Sequence, residues 1–153
     1  MYNKLLVPLD GSELAECTME HLRALVTGCH IPEVVLLRVI EPLPGQTVAA
    51  LAEAGGNLLN DLETSQKEEA SDYIQKIAGM LQKERINAKP VLVSGYAAEE
   101  ILNYAKNNNV DLIIMSTHGR SGIRRWIMGS VTNRVLGHSA IPVMTIIPKG
   151  CRV

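Results

Sequence analysis

The chain has 153 residues, 46% hydrophobic and 20% charged, which is enough apolar material for one ordinary globular core, so a single domain over 1–153 is expected. A formal net charge of -1 provides no positive field to attract nucleic acid, and 3% aromatic residues with no Phe leave little for a base-stacking platform. The opening apolar run, Leu5 to Leu9, is short and interrupted by Pro8, far from a signal or membrane segment, so a cytoplasmic protein without nucleic-acid or membrane partners is expected.

Lys4 to Pro8 reads as a buried first strand. After the Gly11-Ser12 turn, Leu14, Cys17, Thr18, His21, Leu22, Leu25 and Val26 share one helical face, with Ser12 as the helix cap. Cys17, Cys29 and Cys151 are widely spaced and read as reduced thiols; adjacent Cys29 and His30 lack the further partners of a structural zinc site. Val34 to Ile40 is β-branched and ends at Pro42 and Pro44-Gly45. Within 41–60, Val48 to Glu53 reads as a short helix, interrupted at Gly55-Gly56, in a segment expected to serve as a loop or lid. Asp61 to Arg85 sets Ala70, Tyr73, Ile74, Ile77, Ala78 and Leu81 on one face, the pattern of a long surface helix.

Three further strands are expected at Pro90 to Ser94, Val110 to Ser116 and Ile141 to Ile147, with helices over Ala98 to Asn107 and Ser130 to Leu136. Strands alternating with helices imply an α/β fold, a doubly wound, Rossmann-like five-stranded parallel sheet, and right-handed crossovers favour the order 3-2-1-4-5. In that order the first strand neighbours the fourth. Ligands bind such sheets at this switch point, so Pro8 to Asp10 and Met115 to Gly119 should border the site.

After the fourth strand, Gly119 and Gly129 bracket a nine-residue insert, and Ser130, Val131 and Thr132 offer N–H groups and hydroxyls at a helix start, the chemistry of an anion site. Arg120, Arg124 and Arg125 add positive charge. The plain alternative is a glycine-bearing connection with an ordinary Ser cap. Neither G-x-G-x-x-G nor G-x-x-x-x-G-K-[ST] occurs, which argues against a conventional NAD site or P-loop. Asp10 fits either a ligand contact or a turn with Gly11. His118 has no nucleophile with an orienting acid in view, so no catalytic residue is assigned. His21 and His138 read as packing or capping residues, and Trp126 as packing under the loop or a subunit contact.

The run from Gly119 through Gly129-Ser130, with Val7-Pro8-Leu9-Asp10-Gly11-Ser12-Glu13, Gly95 to Leu102, Val110 to Met115 and Ile141-Pro142-Val143, resembles the universal stress protein family over nearly the whole chain. Ser116 stands where the nucleotide-binding members have their first motif glycine. The resemblance implies an adenine nucleotide alpha hydrolase-like fold that binds ATP, with Asp10 near the ribose, the Val39 backbone at the adenine edge, and Pro8, Leu9 and Met115 as pocket wall. Gly119, Gly129, Ser130, Val131 and Thr132 would hold phosphates, with Ser116, His118 and Arg120 in the same loop. Magnesium is expected through the phosphates, since the motif assembles no carboxylate cage.

The function expected is nucleotide-dependent regulation in the stress response, with a slow ATPase or nucleotidyl-transfer enzyme as the alternative and a phospho-receiver or flavin carrier ranked last. The last strand, apolar on both faces and at the sheet edge, invites pairing, and the resemblance likewise implies a homodimer through 141–147.

Overall fold

A computed structural model describes residues 2–117 and 129–148. Its strands are β1 (Lys4–Pro8), β2 (Glu33–Ile40), β3 (Ala88–Ser94), β4 (Leu112–Ser116) and β5 (Val143–Ile146), and its helices α1 (Glu13–Glu16), α2 (Thr18–Cys29), α3 (Gly45–Ala54), α4 (Leu58–Lys83), α5 (Ala97–Asn107) and α6 (Ser130–His138). The strands form one parallel sheet in the order β3-β2-β1-β4-β5, the order expected from the sequence.

Side chains alternate across each strand, and so feed two apolar layers. Leu5, Val7, Val34, Leu36, Leu112 and Ile114 face α2 and α4, where they meet Leu22, Ile74, Ala78 and Leu81. Leu6, Val35, Leu37, Ile113 and Met115 face α5 and α6, against Ile101, Ala105 and Val135. Both faces of the inner strands are covered, which is why β1, β2 and β4 read as near-continuous apolar runs.

The first helical stretch is broken in two. Ser12 Oγ accepts from the Ala15 N–H at 3.2 Å and caps α1, as its position after the turn suggested. The helix then breaks at Cys17, where buried Thr18 donates its hydroxyl to the Ala15 carbonyl at 2.8 Å. The 41–60 segment is more ordered than its composition suggests: α3 runs from Gly45, ends at Gly55, and α4 begins only a few residues later. Gly55 and Gly56 both have positive φ, 74° and 75°, a conformation open to glycine and strained for other residues. That pair makes the break between the two helices.

Strand β4 starts at Leu112, two residues after the apolar run begins, and Asp111 just ahead of it has a task of its own. Its Oδ2 accepts from the N–H groups of Asn3 and Lys4, at 2.6 and 2.9 Å, and so ties the start of β1 to the start of β4. On the outer edge at β3, Lys89 and Pro90 are exposed. Among the described residues, no helix is long and apolar enough to cross a membrane.

Candidate functional site

The strands all point their C-terminal ends the same way, and α6 starts beside the end of β4. Where β1 and β4 part toward opposite crossovers, a cavity of about 470 Å³ opens. Pro8, Leu9 and Asp10 enter it from the end of β1, Val39 from β2, Met115 and Ser116 from β4, and Gly129, Ser130, Val131 and Thr132 from the start of α6. The remaining sequence-predicted site residues, His118, Gly119 and Arg120, lie outside the described residues, as do Arg124, Arg125, Trp126 and Cys151.

The cavity floor is apolar. Val39 and Met115 are buried in the layer beneath α5, and Leu9 extends β1 by donating its N–H to the Leu37 carbonyl at 2.9 Å. At the mouth, Asp10 Oδ1 accepts from the Ser12 N–H at 3.0 Å and from the Ser12 hydroxyl at 2.6 Å, with Gly11 between them at φ 86°. The turn expected with Gly11 is therefore formed, by a carboxylate that also lines the cavity.

The start of α6 is built for close approach. Gly129 donates its N–H to the Thr117 carbonyl at 2.8 Å, and a Cβ at Gly129 would lie 3.2 Å from that same oxygen, tighter than ordinary contact. Ser130, Val131 and Thr132 occupy the first turn of α6, where backbone N–H groups find no partner within the helix itself; among the described residues, Asn133 donates its N–H to the Gly129 carbonyl at 2.9 Å. These N–H groups and the positive end of the helix dipole suit an anion. Thr132 contributes its backbone, whereas its hydroxyl proton goes to the Ser116 carbonyl at 2.9 Å. Ser116 itself is buried in β4.

The wall formed by α4 was not singled out from the sequence. Gln66, Glu69, Ala70 and Tyr73 line the cavity there, together with Arg38 from β2. Among the described lining residues Arg38 is the one cation, and Asp10, Glu41 and Glu69 are acids on the same lining. The Tyr73 hydroxyl donates to Glu16 Oε1 at 3.1 Å; burial first, then the Glu16 carboxylate, pushes this phenol well above its ordinary range. A signal for Arg38 does exist in the sequence: it is the lone charge in Val34-Val35-Leu36-Leu37-Arg38-Val39-Ile40.

His21 is half-buried in α2, and exposed His138 closes α6 with Nδ1 2.9 Å from the Arg134 carbonyl, both apart from the cavity. Among the described residues no three His, Cys, Asp or Glu side chains converge as a metal site.

The sequence model of the Universal stress protein family matches residues 1–146. The chain belongs to this family. Among curated universal stress proteins, MJ0577 of Methanocaldococcus jannaschii is 33% identical over 155 residues, covering 95% of each chain, and YxiE of Bacillus subtilis is 25% identical, covering 95% of this chain and 99% of its own. The solved structure of MJ0577 superposes with a TM-score of 0.83 at 34% identity, covering 97% of this chain and 98% of the other. A universal stress protein family protein from Arabidopsis thaliana, solved with AMP bound, shares the fold at 16% identity, with a TM-score of 0.68 over 96% of this chain and 92% of its own.

Proposed function

We propose that this universal stress protein binds ATP across the C-terminal ends of β2, β1 and β4 and acts in the cytoplasm as a nucleotide-dependent regulator in the stress response. One observation carries the reading: an apolar slot at Val39 and Met115, a carboxylate at Asp10 and the open first turn of α6 line a single cavity. Each matches one part of a nucleotide. The Val39 backbone meets the edge of the adenine, with Pro8, Leu9 and Met115 as walls. Asp10 accepts from a ribose hydroxyl, the role an acid takes at the strand end of dinucleotide folds. Phosphates lie over the N–H groups of Ser130, Val131 and Thr132, beside Gly129, with Gly119, His118 and Arg120 completing the loop. Magnesium joins through phosphate oxygens, which attract it without a protein cage.

Equilibrium dialysis with ATP and magnesium tests this directly: saturable binding is expected, and none at physiological ATP levels would overturn it. Asp10→Asn keeps an oxygen for the Ser12 cap but removes the charged acceptor, so ATP affinity should fall about tenfold, or about 1.4 kcal/mol, with α1 still capped. Unchanged affinity would remove Asp10 from the ribose.

A further inference from the structure

Next to the nucleotide cavity lies a second, more open one of about 500 Å³, where β2 and β3 end. Pro42 and Leu43 wall it on one side, Glu63 and Lys67 of α4 on the other, and Ser94 closes it at β3. Ile40, Glu41 and Gln66 line both cavities, so the two are contiguous.

Their order across the sheet assigns what passes between them. Along the C-terminal edge the strands run β4, β1, β2, β3, so the helix N-terminus at β4, Asp10 at β1 and Val39 at β2 succeed one another, and the second cavity comes next. Strands lie about 4.8 Å apart, so β4 and β2 are separated by about 10 Å and the second cavity is one spacing farther. A nucleotide laid with its phosphates at α6 presents its base, not its ribose or phosphates, to that opening.

We propose that the second cavity receives a substituent on the exocyclic amine of the base, making N6-monosubstituted adenine nucleotides the ligand class of this site; the inference rests on the nucleotide reading above. Ile40, Pro42, Leu43 and the methylene stem of Lys67 offer apolar contact to an aryl or alkyl group, and the Lys67 ammonium can approach an aromatic face. Glu41 stands at the junction, its Oε1 held by the Ala97 N–H at 3.1 Å. A carboxylate there accepts one N–H from the base. A monosubstituted amine keeps that donor, and a disubstituted one has lost it.

Competition against a bound fluorescent ATP analogue, using ATP, N6-benzyl-ATP and N6,N6-dimethyl-ATP on the full chain, tests the assignment. N6-benzyl-ATP should bind at least as tightly as ATP, and the dimethyl compound about tenfold more weakly. Ser94→Trp, which fills the second cavity, should weaken N6-benzyl-ATP by about tenfold while leaving ATP within about twofold. Were Ser94→Trp to lose ATP as well, Lys67→Trp on the facing helix must produce the same separation. The inference is overturned if N6-benzyl-ATP binds about tenfold worse than ATP, or if neither tryptophan separates the two nucleotides, which would leave the substituent in solvent. A parent chain that binds no nucleotide at all overturns the ATP reading and this inference with it.

Discussion

The hydroxyl of Thr132 shows how one residue can serve a site without touching a ligand through its side chain. By type and position it reads as a phosphate donor, yet its proton is used to fasten the start of α6 to the Ser116 carbonyl of β4. Thr132→Val should therefore cost about 1 kcal/mol of stability in urea unfolding, the net worth of one hydrogen bond, and a cost indistinguishable from zero would deny the strut. Asp111 is a second fastener. The N–H groups of Asn3, then Lys4, hold its carboxyl below the ordinary aspartate range. A depressed folded value means that the contribution is fully present above the unfolded value near about 3.9 and is lost as pH falls through the folded one. The stability gap between the parent and Asp111→Asn should hold steady from neutral pH to about 5 and narrow below about 4; a gap that widens in acid would reverse the sign. Arg38 was legible in principle, since strand alternation places it on the face of Val34 and Leu36 at the end of β2, where the sheet stops and the cavity starts.

Elements with a buried face were readable from spacing, and one without a buried face only from weaker cues. The α4 residues Ala70, Ile74, Ile77, Ala78 and Leu81 are all buried, and their helical period predicted the element. Helix α3 has no buried residue, so the only sequence cues to it were the Val48 to Glu53 run and the Gly55-Gly56 stop. The break between α1 and α2 was hidden for a different reason: Thr18 sits on the apolar face in either case, and its bond to the Ala15 carbonyl leaves no mark in the spacing. An element that buries nothing is held mainly by its own hydrogen bonds. Native-state hydrogen exchange should show the amides of α3 exchanging at least about a hundredfold faster than those of α4 between Ala70 and Leu81. Equal protection would mean that α3 is anchored by more than its own hydrogen bonds.

At the scale of the molecule, strand order and switch point followed from alternation and handedness, whereas the α4 wall of the cavity depended on how a long helix crosses the sheet, which no local pattern encodes. The two edges of the sheet are chemically unequal. Edge β3 carries exposed Lys89 and Pro90, while β5 reads Val143-Met144-Thr145-Ile146 and has neither charge nor proline. The Pro142 carbonyl accepts from Ile113 of β4 and the Ile146 carbonyl from Thr117 just after it, so the intervening odd positions turn their backbone outward. On the proposed homodimer through 141–147, Thr145→Pro removes one outward donor and no bond to β4. Light scattering should give twice 16.7 kDa for the parent and a single chain's mass for the variant. A monomeric parent would contradict the contact.

That inequality of edges has a consequence for assembly. In the vocabulary of polymer chemistry a subunit with two reactive ends propagates and one with a single reactive end terminates. With the β3 end guarded by lysine and proline, the proposed contact would make this sheet monofunctional: a two-fold union at β5 would consume the remaining end, and growth would stop at two.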